Sequence, residues 1–168
     1  MYVVDLGKFI WDDNPRTWET EGLDWGLSNT FENVLYDRVI DSLNTLLSDE
    51  FSIPVRYDDY VLPQCFLLLP QGDEFIEHAK SMQTRDYEVS INYQLKSGGR
   101  YGKQNFKHLS QMAEHVKRLI KNNSSYSPSG SYKWHDGRIT GIEYERDEDN
   151  PTLIRALITF NCIVTEVT

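Results

Sequence analysis

The stretch Tyr87–Lys96 is the feature that most constrains the fold of this chain. Apolar and aromatic side chains alternate there with polar ones at every position. In a β-strand successive side chains point to opposite faces of the sheet, so the pattern predicts a strand with one face in a core. The other face is expected to be exposed to solvent or shared with another surface. A sheet is therefore required, and the rest of the chain has to supply its other strands.

Further extended segments are predicted on both sides of this strand. A strand from about 138 to 145 follows the turn dipeptide Asp136-Gly137, and Gly141 within it is expected to mark a bulge. The last strand alternates apolar and polar residues from about 154 to 164. Closer to the N-terminus, an extended piece is expected around 52–57, and an apolar run at 65–69 lies between Pro63 and Pro70. Proline cannot donate to a strand ladder, so these prolines indicate strand ends or a sheet edge.

Two amphipathic helices are predicted. The first runs from about 30 to 48, with Asn29 as N-cap and Glu32 in the capping-box position. The second runs from about 105 to 121, and basic residues in its last turns complement the helix dipole. Apolar residues recur in both at the spacing of a helix that lies on a flat surface. They are Phe31, Val34, Leu35, Val39, Leu43, Leu46 and Leu47 in the first helix, and Phe106, Leu109, Met112, Ala113, Val116, Leu119 and Ile120 in the second.

The order of the elements sets the fold class. An N-terminal arm is followed by a helix, two or three strands, a second helix and two closing strands. This order predicts an α+β fold with one antiparallel or mixed β-sheet and two main helices packed on it, plus the arm. No internal repeat or long linker divides the chain, so residues 28–168 are expected to form a single domain and residues 1–27 the arm.

The arm is rich in tryptophan. Trp11, Trp18 and Trp25 recur every seven residues, which is two helical turns, but Pro15 and Gly22 interrupt such a helix. A terminal segment needs contacts to hold it in place, and large aromatic side chains can supply them. These rings either close one side of the domain core or contact a neighbouring subunit.

Charge and composition exclude several functional classes. The formal net charge is −9, whereas a surface that grips DNA by neutralising phosphates needs clustered Lys and Arg. No window approaches the roughly 20 apolar residues of a membrane span, and the first residues lack a basic start followed by a long apolar stretch. An intracellular, unprocessed protein is expected. Aromatic residues make up 12% of the chain, and Tyr and Trp are enriched where proteins dock on each other.

Motifs for cofactors and metals are missing from the sequence. The four histidines are dispersed, and His108 and His115, about 10.5 Å apart on one helix, are too distant to share an ion. There is no Cys-x-x-Cys, phosphate-binding glycine loop or nucleophile elbow. Cys65 and Cys162 each lie in an apolar run and are expected to be buried free thiols. We therefore predict no enzyme and assign no catalytic, cofactor-binding or metal-binding residue.

One catalytic alternative is a Mg²⁺-dependent nuclease of the restriction-endonuclease kind. Such nucleases bring an Asp together with a Glu/Gln-x-Lys pair. Gln94 and Lys96 resemble that pair, and Asp73 or Asp86 offers the upstream acid. A hydrated Mg²⁺ ion prefers a denser cluster of carboxylates, and polar residues on a solvated strand face produce Gln-x-Lys readily by chance. The structural interpretation is preferred.

The element order resembles that of the tail terminator and tail-completion proteins of long-tailed bacteriophages. The segments that carry the resemblance are 36–47, 85–93, 109–120 and 155–160, and it extends over about 31–167. It rests on the pattern of elements, with no signature motif. The tryptophan-rich arm departs from the shorter members of these families.

The resemblance implies a structural virion protein at the head-proximal end of a phage tail. Such a subunit assembles as a ring, typically hexameric, on the tail tube protein, and a head-completion or connector protein docks on it. DNA passes through the lumen without specific binding. Another head–tail joining or minor tail protein is the alternative structural role.

Charged segments suggest which residues meet in such a ring. The loop from Lys96 to Lys103 concentrates basic residues in an acidic chain, and the turn at 147–149 is acidic. A heterologous interface allows the basic loop of one subunit to meet the acidic turn of the next. The predicted interface residues are Trp11, Trp18, Trp25, Lys96, Arg100, Lys103, Asp147, Glu148 and Asp149.

Overall fold

A five-stranded mixed sheet organises the part of the chain that the computed structural model describes, residues 33–57, 62–80, 82–96 and 105–167. Its strands are β1 (Val55–Arg56), β2 (Gln64–Ala79), β3 (Met82–Lys96), β4 (His135–Arg146) and β5 (Leu153–Val167). Their order across the sheet is β1-β2-β3-β5-β4. The short β1 runs parallel to β2, and every other pair is antiparallel.

The helices pack on one face of this sheet. A π-helical segment, Val34–Ile40, continues directly into helix α1, Asp41–Glu50, and helix α2 spans Asn105–Asn122. Helix α2 contacts β3, β4 and β5, while the π-helical segment contacts β3. One mixed sheet with two helices confirms the predicted α+β class. The predicted N-cap Asn29 and the arm lie outside the described residues.

A single apolar cluster lies between the helices and the sheet. Within the sheet its buried members belong to one face, as the alternation along β3 predicts: Tyr87, Val89, Ile91 and Tyr93 are buried. The facing positions of β5 continue the cluster with Ile154, Ala156, Ile158, Phe160, Cys162 and Val164. The other face is polar and half-buried along much of its length. Residues Val34–Thr168 form one compact unit around this core.

Helix α2 carries charged and polar residues along one side, and its buried positions recur at amphipathic spacing. No helix in the described ranges is long and apolar enough to cross a membrane.

The hairpin of β2 and β3 is longer than the sequence predicts. The apolar run at 65–69 was expected to stop at Pro70, but β2 continues through Pro70 to Ala79 and stays paired with β3. The pairing of β2 with β3 shifts register directly after the proline, between Pro70 and Gly72, and again between Phe75 and Glu77. Strand β1 pairs with β2 at Phe66 and Leu67, and within the described ranges no strand lies beside β2 at Pro70, so the missing proline N–H costs no ladder bond on that side.

The Asp136-Gly137 dipeptide is a bulge and not the predicted turn before a strand. Strand β4 already begins at His135, and its pairing with β5 shifts register between His135 and Arg138. Asp136 adopts a positive φ of 50° there. The bulge predicted at Gly141 is confirmed by a register shift between Ile139 and Gly141.

The bulge at Gly137 accommodates Trp134, the largest fully buried side chain among the described residues. Trp134 stacks on Tyr126 with ring centroids 4.9 Å apart and meets the edge of Phe160 at 5.5 Å. Its indole N–H donates to the Asn123 carbonyl at 3.1 Å. A Cβ at Gly137 would lie 2.7 Å from the indole nitrogen, so glycine is required for the ring to occupy this site.

Replacing Gly137 with alanine is expected to destabilise the protein by about 1–3 kcal/mol, because the added methyl group forces Trp134 out of its packed position. The matched control is Gly72→Ala, where a Cβ meets nothing within 4 Å, and its effect should stay within about 0.5 kcal/mol or be slightly stabilising. Urea denaturation of both variants measures the difference in the free energy of unfolding. Equal losses would show that the Trp134 contact does not limit position 137.

Candidate subunit-contact surfaces

The polar face of the sheet carries a hydrogen-bonded network. Arg138 forms an ion pair with Asp86, and the Asn161 amide donates to the same carboxylate at 3.4 Å. Thr140 in turn donates to Asn161 at 2.9 Å. These contacts join β3, β5 and β4 across the face that lacks a helix in the described part of the chain. Arg138 and Asp86 are therefore paired with each other within one subunit.

An open cleft of about 240 Å³ lies beside this network. Its lining is acidic, but Asp73 is paired with Arg85 and Asp86 with Arg138. Nowhere in the described ranges do three His, Cys, Asp or Glu side chains converge as they would around a metal ion. The lining residues are Gln71, Gly72, Asp73, Glu74, Asp86, Glu88 and Asn161.

The residues of the nuclease alternative are not brought together. Asp73 pairs with Tyr87 and Gln94 pairs with Cys65, which places the two side chains about 24 Å apart along the hairpin at roughly 3.4 Å per residue. Asp86 lies on the same strand as Gln94 and is about 27 Å from it by the same spacing. A shared Mg²⁺ ion requires ligand oxygens within about 2.1 Å of the metal. Neither Asp73 nor Asp86 is therefore close enough to Gln94 to share a Mg²⁺ ion with it.

Gln94 is packed on the polar face of the sheet. It is fully buried, and its amide nitrogen donates to the Leu62 carbonyl at 3.3 Å and contacts the Cys65 sulfur at 3.0 Å. Its amide oxygen is buried and has no hydrogen-bond partner among the described residues. An orphaned buried carbonyl costs stability, so Gln94 is a weak point of the packing.

Both cysteines are buried, and the Cys162 thiol and the Tyr87 hydroxyl have raised pKa values. Cys65 and Cys162 are buried and free, as predicted. Burial raises the pKa of the Cys162 thiol far above its usual value, and the nearby Asp86 carboxylate acts in the same direction. Burial also raises the pKa of Tyr87, which donates a hydrogen bond to Glu166. Cys162 and Tyr87 are therefore not nucleophiles at neutral pH.

The predicted interface residues fall into two groups. Trp11, Trp18, Trp25, Arg100 and Lys103 lie outside the described residues. Lys96 ends β3 opposite Leu153, where the acidic turn leads into β5. Lys96 and the turn therefore share one end of the sheet within a single subunit.

Asp147 has a structural role within this acidic turn. Its carboxylate accepts from the backbone N–H groups of Asp149 at 3.0 Å and Asn150 at 2.9 Å, and it forms an ion pair with Arg155 at 2.8 Å. Glu148 and Asp149 have exposed side chains. Of the three acidic residues, these two are the ones available for contact with another molecule.

An exposed apolar tip on the β2–β3 hairpin is a surface that the sequence analysis missed. Phe75, Ile76 and Met82 are 52%, 46% and 44% exposed, and every residue from Gln71 to Lys80 is exposed. The acidic residues Glu74 and Glu77 flank the apolar pair. Two adjacent large apolar residues between charges were the only sequence signal for it. We call Phe75, Ile76 and Met82 the hairpin tip.

A second exposed patch lies at the opposite end of the sheet. The guanidinium of Arg146 lies 5.7 Å from the centre of the Phe106 ring, a cation–π distance. Tyr144 projects from the same face of β4, about 7 Å further along the strand. Phe106 was predicted on the apolar face of the second helix, but it is 42% exposed, and Tyr144 is 44% exposed. We call Phe106, Tyr144 and Arg146 the aromatic patch.

Comparison with known proteins gives no family for this chain. No protein-family model matches it, and no curated protein matches its sequence. The hairpin tip and the aromatic patch together hold five of the large hydrophobic residues that are exposed in the described part of the chain: Phe75, Ile76, Met82, Phe106 and Tyr144. Function has to be argued from these surfaces and from the fold.

Replacing Asp147 with alanine is expected to lower the free energy of unfolding by about 1–2 kcal/mol, because two backbone donors lose their acceptor and Arg155 keeps only its ion pair with Glu145. Glu148→Ala removes a neighbouring exposed carboxylate and should change it by less than about 0.5 kcal/mol. Chemical denaturation of the two variants makes the comparison. Similar values for both would contradict the structural role of Asp147.

The nuclease alternative predicts that the protein cleaves DNA and that cleavage depends on Gln94 and Lys96. We expect wild-type protein to leave supercoiled plasmid intact with Mg²⁺ or Mn²⁺. Gln94→Met should fold with unchanged or higher stability, because it removes the orphaned buried carbonyl. Plasmid cleavage by wild type that is lost in both Gln94→Met and Lys96→Ala would establish the nuclease and exclude the structural interpretation.

Proposed function

We propose that this chain is a non-enzymatic virion subunit of the tail-terminator kind, which assembles into a ring at the head-proximal end of a phage tail. The observation that carries the proposal is the hairpin tip. Phe75 and Ile76 lie on β2 close to the β2–β3 turn, and both side chains are exposed. Grouped apolar side chains held in water mark a surface that another protein covers.

The form of the hairpin favours contact through side chains. The outer edge of β2 beyond Leu67 has no strand beside it in the described residues. Pro70, two register shifts and the carboxylates of Glu74 and Glu77 interrupt this edge. Such features protect an edge from pairing with further strands and so from open-ended aggregation. A specific partner that binds the tip through its side chains accounts for both the exposed apolar residues and the interrupted edge of β2.

Element order and charge support the phage-tail interpretation. The chain runs from a helix into strands, through the alternating β3, into α2 and the closing pair β4–β5, which is the order on which the resemblance rests. A net charge of −9 allows a ring to surround DNA without binding its phosphates tightly. Tail tube protein and a head-completion or connector protein are the partners that this role requires.

Another head–tail joining or minor tail protein is the second candidate, because the same surfaces suit any symmetric assembly. The nuclease is disfavoured by the separation of its candidate residues along the hairpin. The structural candidates differ in what the subunit docks on, and the tail tube is the partner that distinguishes a terminator.

Native mass spectrometry of the full-length chain is expected to show one closed oligomer, with six copies as the expected number. Adding purified tail tube protein should yield a tube capped by that oligomer, because a terminator stops tube polymerisation. Electron microscopy of tube length with and without the chain measures this effect. Serum albumin at the same concentration is the control for non-specific shortening.

Two results would reject the proposal. A chain that stays monomeric at micromolar concentration does not form a ring. An oligomer that leaves tube length unchanged, but binds a head connector, would assign the chain to the head-completion side of the joint.

A further inference from the structure

We propose that the hairpin tip of one subunit docks on the aromatic patch of the next copy of this chain. This inference rests on the proposed assembly and names the two surfaces that meet in it. The tip consists of Phe75, Ile76 and Met82, and the patch of Phe106, Tyr144 and Arg146. Both surfaces belong to the described sheet and its helices.

The two surfaces cannot meet within one subunit. Phe75 pairs with Arg85, which is level with Val164 on β5, whereas Tyr144 is level with Ala156. The levels are about 27 Å apart along the strands at roughly 3.4 Å per residue. Strand β2 is also separated from β4 by β3 and β5, about 14 Å across the sheet. Contact between tip and patch therefore requires a second copy.

The chemistry of the two surfaces is complementary. The tip offers aliphatic and aromatic groups beside Glu74 and Glu77, for which the structure records no ion-pair partner within the described residues. The patch offers two aromatic rings and the guanidinium of Arg146, with exposed Lys107 next to Phe106. Apolar contact at the centre with opposite charges at the rim is the usual arrangement of a specific protein interface.

A contact between two different surfaces is heterologous. It repeats from copy to copy and closes into a ring when the rotation permits. The two contacting surfaces of each subunit then lie at the same height along the ring axis. Since the tip-to-patch line runs mainly along the strands, the strands must be steeply inclined to that axis. A contact between Lys96 and Glu148, which share one end of the sheet, is instead compatible with strands that run along the axis.

Crosslinking tests the pairing directly. The double variant Ile76→Cys with Tyr144→Cys, treated with a short bis-maleimide, should give a ladder of covalent oligomers up to the full assembly. An equimolar mixture of the two single variants should stop at dimers, because each copy then carries one reactive end. The native thiols of Cys65 and Cys162 are buried, so they provide no competing site.

Substitution at each surface tests its contribution to assembly. Phe75→Ser with Ile76→Ser should weaken assembly by about tenfold or more, since central apolar contacts dominate binding. Arg146→Glu should weaken it as well, and Glu74→Arg with Glu77→Arg in the same chain should restore part of the loss. Tyr57→Ser, at an exposed aromatic residue outside both surfaces, is the control and should assemble like wild type. Circular dichroism checks that each variant is folded.

The outcomes separate this inference from the proposed function. A wild-type chain that remains monomeric rejects the proposed function and the inference together. An intact ring in the Phe75/Ile76 variant, or dimers from Ile76→Cys alone, rejects the tip-to-patch contact and leaves the ring. Flotation of wild type with anionic or neutral vesicles, lost in the Phe75/Ile76 variant while assembly is unchanged, would assign the tip to a membrane.

Discussion

The pairing of β3 along both of its edges is the constraint on which the rest of the structure depends. Every residue from Met82 to Lys96 pairs with β5 without a register shift, and β2 follows the other edge along the same length. Because side chains alternate strictly along a strand, this unbroken register places Val89, Ile91 and Tyr93 on the core face together. The helices have one apolar surface to cover, and the polar face is left to charged networks.

Sequence patterns predicted the parts of the fold whose signals are local. The alternation along β3 and the helical spacing in α2 survive because each element buries the side that its own pattern defines. Pro70 and the charges after it read as a strand end, and only pairing with β3 shows that β2 continues. Trp134 was not predicted in the core, because its burial depends on Tyr126, Phe160 and a bulge at Gly137.

The candidate surfaces were harder to predict than the core. Lys96 and the acidic turn were recognisable from composition, but composition does not show that Asp147 is committed to the backbone of its own turn. Phe106 satisfies the apolar period of α2 and is nevertheless exposed, in the first turn of the helix beside Arg146. Whether an apolar residue closes a core or a contact between subunits depends on elements distant in sequence.

The outer half of the hairpin also has a dynamic consequence. Amides of β3 are enclosed between two strands, whereas the outward-facing amides of β2 beyond Leu67 have no strand beside them in the described residues. Local opening should therefore begin in this outer part of β2, at a free energy well below that of global unfolding. A partner that binds the outer part of β2 would suppress this opening. Slow hydrogen exchange would then extend from the centre of the sheet to Phe75. The rigidity of this part of β2 would then be a property of the assembly and not of the isolated subunit.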